Sequence, residues 1–166
     1  MIKPAGPEHY DAIIGIYNQA VLTGLQTADT GEVTVEDKRD WLALHDGEHY
    51  SIYVACEDEK VVGYLALSPY RHGRAAFHHT AEISYYLDAQ FQGQGIGSTL
   101  IEHAISQCSA LEIESLVAIL LSCNTTSVAL LEKFGFKRWG LMPNIANLKI
   151  GKVDHYYYGK ELHYGN

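Results

Sequence analysis

The chain is poor in positive charge. Of its 166 residues 12 are lysine or arginine and 20 are acidic, giving a net charge of -8, and the bases never gather into a run. Nucleic-acid binding needs clustered lysine and arginine to neutralise phosphates, so no nucleic-acid partner is expected. Long apolar runs are also missing. The longest, Leu116 to Leu121, has the length of a strand rather than of a membrane span, so no membrane partner is expected. The opening residues Met1-Ile2-Lys3-Pro4-Ala5 carry no apolar segment of the kind a secretory signal requires. Cysteine is scarce: Cys56, Cys108 and Cys123 are widely spaced and set in apolar segments. That spacing is neither a disulfide frame nor a zinc site, and it fits reduced thiols in a cytoplasmic protein. What is present is 47% hydrophobic residues, enough for a core and for a single domain spanning 1–166.

Helical and strand periods alternate along the chain without a linker or repeat. Pro7 suits a first helical position, and Tyr10, Ile13, Ile14, Tyr17 and Val21 then share one helical face. Thr34 and Asp37 have capping-box spacing ahead of a short helix with Trp41, Leu42 and Leu44. Tyr50 to Cys56 and Val61 to Leu67 are β-rich and joined by Asp58-Glu59-Lys60, a hairpin signal. His78 to Leu87 forms a further strand after the loop Ser68 to Ala76. Ile96, Leu100, Ile101, Ala104, Ile105 and Cys108 trace a helical stripe. Ser115 to Leu121 is a buried strand, and Asn124 to Phe134 a capped helix closed by Gly135. Arg138 to Met142 and His155 to Leu162 supply two last strands, and an early strand lies near Ile2. This order predicts a mixed α/β sheet with helices on both faces.

The most informative segment is Gln92-Gly93-Gln94-Gly95-Ile96-Gly97, which follows a tyrosine-rich strand and opens a helix. Glycines let a loop turn so that several backbone N–H groups aim at one spot, and the helix N-terminus adds positive potential. That combination seats a pyrophosphate. A dinucleotide fingerprint fails, because Ser98 stands where the third glycine is required and the motif does not follow the first strand. A nucleotide-binding P-loop fails for want of a lysine after the glycines. A glycine-rich turn with no ligand remains open on the loop alone.

Wider blocks carry more. Gln92-x-x-Gly95-x-Gly97 after Tyr85-Tyr86-Leu87-Asp88 resembles the acetyl-CoA motif of the GNAT acetyltransferase superfamily. Asn124-Thr125-Thr126-Ser127 with Glu132-Lys133-Phe134-Gly135-Phe136 resembles a second block of that superfamily, so the resemblance covers essentially the whole chain. Ile16-Tyr17-Asn18 with Val21-Leu22-Thr23, the stretch Thr80 to Tyr86, and Lys149-Ile150-Gly151 are similar to the phosphinothricin and methionine sulfone acetyltransferase branch. The resemblance implies a GNAT-like central mixed sheet of about six to seven strands. It also implies acetyl-CoA as co-substrate and N-acetylation of a small amino acid or analogue.

It implies residue roles as well. Gln92, Gly93, Gln94, Gly95, Ile96, Gly97 and Ser98 would present amides to the CoA pyrophosphate, and the backbone of Tyr85, Tyr86 and Leu87 would meet the pantetheine arm. A carbonyl-polarising N–H near Leu87 would stabilise charge on the thioester oxygen. Asn124 matches a pantetheine contact and is equally a good helix N-cap. An ammonium has no lone pair, so transfer to an amine needs a base. Glu82, an acid amid Thr, Ile and Tyr, is the candidate; alternation alone also allows a solvated sheet face. The usual leaving-group acid is absent, since Leu131 stands where the superfamily often has tyrosine, and that role stays unassigned.

Arg71 and Arg74 in the loop Tyr70 to Arg74 are candidates for binding a substrate carboxylate, although surface arginines are usually just solvated, and the resemblance at Lys149-Ile150-Gly151 adds Lys149 as another. Nine histidines invite a metal reading, but His78 and His79, adjacent on the expected strand, would point to opposite faces, so no metal is expected. Cys123 has no paired base for an acetyl-cysteine route, which favours direct attack in a ternary complex. Thr27-Ala28 replaces the branch's usual Thr-Phe, and its customary tryptophan after Gly151 is missing, with Val153 nearby, which implies a reshaped substrate pocket. Tyr156-Tyr157-Tyr158 fits a core or edge strand, or else the interface of a homodimer. A protein or peptide acetyltransferase and a non-catalytic acyl-CoA-binding module are the rival functions.

Overall fold

Seven strands form one sheet in the order β1-β2-β3-β4-β5-β7-β6. The structure is a computed structural model that describes residues 1–164. The strands are β1 (Ile2–Pro4), β2 (Ser51–Glu57), β3 (Lys60–Pro69), β4 (Thr80–Leu87), β5 (Ser115–Leu121), β6 (Lys137–Leu148) and β7 (Gly151–Glu161). The helices are α1 (Tyr10–Thr23), α2 (Arg39–Ala43), α3 (Ile96–Gln107) and α4 (Thr125–Lys133). The expected mixed α/β fold is present, with the early strand at Ile2.

β2 and β3 are apolar without alternation because both of their faces are covered. On one face Leu65, Leu67, Ala81 and Ile83 pack with Leu100, Ile101 and Ala104 of α3 and Leu131 of α4. On the other, Ile52, Val54, Tyr64 and Ala66 pack with Ile13 and Ile16 of α1 and Leu42 of α2. Burying such side chains contributes about 1.5–3 kcal/mol each, so the sheet is a rigid partition with a helical layer on each side.

β4 and β5 are parallel and pair only through Thr80, Ala81 and Glu82 with Ser115, Leu116 and Val117. Beyond that rung the strands diverge, although β4 continues to Leu87 and β5 to Leu121. β7 then inserts between β5 and β6, antiparallel to both.

Three sequence expectations need correction. Pro7 starts a 3₁₀ turn, Pro7–His9, and the α-helix begins at Tyr10. His78 and His79 precede β4, which starts at Thr80, because Ala75–Phe77 form a further 3₁₀ turn. The last two strands are longer than expected and run to Leu148 and from Gly151 as one arm. The interruption that hid this is a bulge between Met142 and Ala146. There Asn144 takes φ +54, and its N–H donates to Asp154 Oδ1 at 2.9 Å, which suits a strand carrying a proline.

Candidate active site

Two features build the first cavity. Gly93 and Gly95 take φ +73 and +84, a left-handed backbone that favours glycine, and a Cβ at either would meet open space. They are therefore glycines for conformation, leaving the loop free to approach a ligand. Gly95 is also the N-cap of α3, so the helix's unpaired N–H groups face the same spot. The cavity encloses about 340 Å³ and runs from this loop to α4. Of the residues expected at the cofactor, Tyr85, Leu87, Gln92, Gly93, Gly95, Gly97, Ser98 and Asn124 line this cavity; Tyr86, Gln94 and Ile96 do not.

Sequence reasoning missed four wall residues there: Gln26, Thr126, Ser127 and Leu130. It also passed over Lys133, whose Nζ donates to Ser98 Oγ at 3.1 Å and sets a cation beside the loop. Asn124 caps α4 by accepting from the Ser127 N–H at 3.3 Å. An anion-binding loop with a cation at its rim and a groove of mixed polarity fits the pyrophosphate and arm of a coenzyme thioester.

On the other face of the sheet, Glu82, Ser84 and Tyr86 share a cavity of about 170 Å³ with Ile14, Tyr17, Lys38, Trp41 and Tyr64. The period of β4 places Glu82 and Tyr86 on this side, while Ile83 and Tyr85 face α3 and α4. Glu82 is half-buried and makes no ion pair among the described residues. Burial raises its pKa above the ordinary carboxylate range.

A small cavity of about 40 Å³ lies where β4 and β5 diverge, with walls that include residues of both larger cavities. It shares Tyr85, Asn124, Ser127 and Gln26 with the first cavity and Ser84 and Tyr86 with the second. Leu131, only 1% exposed, also lines this small cavity and presents hydrocarbon there. Burial pushes the Tyr85 phenol up to about 12, so it stays protonated at neutral pH. Its hydroxyl donates to the Ser127 carbonyl at 3.5 Å.

Other predicted residues lie elsewhere. Arg71 and Arg74 are exposed and line a groove with His49, His72 and His78. Lys149 is exposed on a second groove with Thr27 and Asp29. Cys123 donates its thiol to the Leu25 carbonyl at 3.4 Å. His49, His78 and Glu112 bring one potential ligand atom each within 4.8 Å of one another, a grouping that spacing along the chain does not reveal. His49 stacks on His78 at 4.0 Å and donates from Nε2 to the His78 carbonyl at 2.7 Å, so this ring already has a backbone partner.

Comparison with known proteins agrees with the geometry. A family model described as "Acetyltransferase (GNAT) family" matches residues 18–136. "Putative phosphinothricin acetyltransferase YwnH" of Bacillus subtilis (strain 168) is 39% identical, covering 93% of this chain and 96% of that protein. An L-methionine sulfoximine/L-methionine sulfone acetyltransferase of Pseudomonas paraeruginosa is 30% identical, covering 91% of this chain and 87% of that protein. A solved phosphinothricin acetyltransferase from Sinorhizobium meliloti, in complex with acetyl-CoA, superposes with a TM-score of 0.92 at 26% identity, covering 100% of this chain and 90% of that one.

Proposed function

The chain belongs to the acetyltransferase (GNAT) family, and on that premise we propose that it acetylates the amino group of a small amino acid or close analogue by direct attack in a ternary complex. Acetyl-CoA is the co-substrate. The observation that carries the reading is the opening between β4 and β5, whose small cavity shares wall residues with the glycine-loop cavity on one face of the sheet and the Glu82 cavity on the other. A donor and an acceptor bound on opposite faces meet there without an enzyme-bound intermediate.

The roles follow from position. Gly93, Gly95 and the α3 N-terminus bind the pyrophosphate, with the Lys133 ammonium beside them. The β4 backbone from Ile83 to Leu87, unpaired towards β5, offers N–H and C=O groups to the pantetheine amides in the manner of an added strand. An N–H near Leu87 stabilises the charge that builds on the thioester oxygen. Glu82 accepts a proton from the acceptor ammonium, directly or through water. The freed nitrogen lone pair attacks the thioester carbon; the C–N bond forms, the C–S bond breaks with its electron pair leaving on sulfur, and the second proton of the nitrogen passes to that thiolate or to water as the neutral amide forms. The acceptor cavity, about 170 Å³, has room for a small amino acid or analogue.

Two further parts of the reading rest on the fold. One sheet runs from β1 to β7, which supports a single acetyltransferase domain over 1–166. Trp139, Met142, Ile145 and Ile150 are exposed along the β6–β7 arm, a run of apolar surface that supports a homodimer. No described helix is long and apolar enough to cross a membrane.

The test is CoA thiol release from acetyl-CoA with phosphinothricin, methionine sulfoximine, methionine sulfone, ordinary amino acids, polyamines and a basic peptide. Saturable release with an amino acid or analogue is expected. Release with the peptide alone moves the activity to protein acetylation, and silence despite acetyl-CoA binding removes the acceptor assignment.

A further inference from the structure

We propose that Lys38 seats the carboxylate of the acceptor amino acid, with Asp29 and Tyr17 holding its ammonium in place. Lys38 is the one cation among the residues lining the Glu82 cavity. Arg71, Arg74 and Lys149 line grooves that do not include Glu82. The proposal rests on the acetyl-transfer reading above and names the feature that selects its substrate.

Lys38 is not a freely solvated lysine. Its side chain is only 29% exposed, and its Nζ lies 3.3 Å from Asp29 Oδ2 and 5.2 Å from the centroid of the Tyr17 ring. Asp29 is fixed in turn, because its carboxylate accepts the Tyr17 hydroxyl proton. Tyr17 also shares a 2.8 Å hydrogen bond with Thr27 Oγ1 and packs edge-on to Tyr86 at 5.2 Å. The ammonium is thus positioned by the Asp29 carboxylate, in the loop after α1, and by the face of the Tyr17 ring on α1. An ammonium has three donors, and the recorded contact with Asp29 occupies one.

An α-amino acid carries its ammonium and carboxylate on one carbon. In a cavity with Glu82 and Lys38 on its walls, both charged ends meet an opposite charge, while Ile14, Trp41 and Tyr64 face the side chain. A peptide amine presents an amide where the carboxylate would be, and a simple amine presents nothing. The amide oxygen accepts a hydrogen bond from Lys38 but brings no charge to balance it, and the simple amine brings neither, so both lose the charge-assisted contact that the carboxylate makes. Partial neutralisation by Asp29 keeps the empty site from holding an unbalanced charge.

The experiment compares L-methionine sulfone with its carboxamide as acceptors, by thiol release, in wild-type protein, Lys38→Met and Lys38→Arg. Lys38→Met is expected to raise KM for the acid about 10- to 100-fold, to lower kcat/KM for the carboxamide by a smaller factor, and to leave KM for acetyl-CoA unchanged. Lys38→Arg is expected to keep the preference for the acid. Equal losses on acid and carboxamide, or no loss on the acid, overturn the proposal while the transfer reading stands. Wild-type protein that acetylates neither acceptor, nor any other amine, overturns both together.

Discussion

Glu82 and Val117 form the last rung joining β4 to β5. The residue proposed to take the proton is therefore also the point where the sheet opens. Everything downstream of it on β4, from Ile83 to Leu87, lacks a β5 partner and is free to pair with a ligand. The base and the cofactor slot proposed above thus meet at one point of the sheet.

Glu82→Gln tests the proton step. The amide keeps the size of the side chain and removes the base, so kcat should fall about 10²- to 10⁴-fold with little change in KM for acetyl-CoA. Burial raises the carboxyl pKa above its ordinary 4.5. The wild-type kcat/KM profile should accordingly show an acidic limb centred above that value, with activity rising as the base ionises, and the variant should lack the limb. The stability sign is opposite: native Glu82 holds its proton more tightly than the unfolded chain does, so ionising it destabilises the fold as pH rises through this window. Thermal unfolding at neutral pH should therefore show Glu82→Gln no less stable than wild type. An unchanged kcat removes Glu82 from the mechanism.

Asn124 is the N-cap of α4 and also lines the cofactor cavity. Asn124→Ala should cost about 1 kcal/mol of stability by leaving the Ser127 N–H without its partner. Asn124→Ser retains a cap. It should recover the melting temperature while KM for acetyl-CoA stays raised, because the shorter hydroxyl does not reach into the groove. Recovery of both by serine would reduce Asn124 to a cap.

His45 should make the fold acid-sensitive. Its Nδ1 lies 2.9 Å from the Trp41 carbonyl, which only accepts, so Nδ1 carries the proton and Nε2 accepts from Ser68 Oγ at 2.8 Å. Burial lowers its pKa from 6.5 to about 4. Between those values the unfolded chain binds the extra proton, so this contribution is complete above pH 6.5 and lost as pH falls towards 4. The loss is on the order of 3 kcal/mol. Denaturant titrations across that range should show the slope in wild type and a reduced one in His45→Gln, and NMR should find His45 neutral at pH 5.5, midway along that range.

Gly159 is constrained by space. A Cβ there would come within 1.9 Å of the Trp139 ring. Gly159→Ala should destabilise the β6–β7 arm by about 1–3 kcal/mol through overpacking, and adding Trp139→Ala should return part of that. Equal stability of Gly159→Ala and wild type in urea would mean that the indole swings away without cost.

Much of this was local enough to read from the chain. The glycine loop, the Asn124 cap, the stripes of α1 and α3 and the β2–β3 hairpin depend on backbone preference and period within a few residues. Their boundaries moved where a neighbour intervened: a 3₁₀ turn displaced His78 and His79 from β4, and the bulge at Asn144 concealed the length of β6. Tyr156-Tyr157-Tyr158 was legible as a core or edge strand, and the choice between the two was not local, because insertion of β7 between β5 and β6 is a matter of long-range pairing.

The sequence by itself determined the strand β4, the turn of the glycine loop and the cap of α4, since φ preference, helix capping and alternation act over short stretches. Only the tertiary structure decided that β4 and β5 part after Glu82 and Val117, and that Tyr17 of α1, Trp41 of α2 and Lys38 just before α2 share a cavity with Glu82. Those relationships join residues far apart along the chain. They exist only because helices packed on the two faces of one sheet bring them together, and no local propensity encodes that meeting.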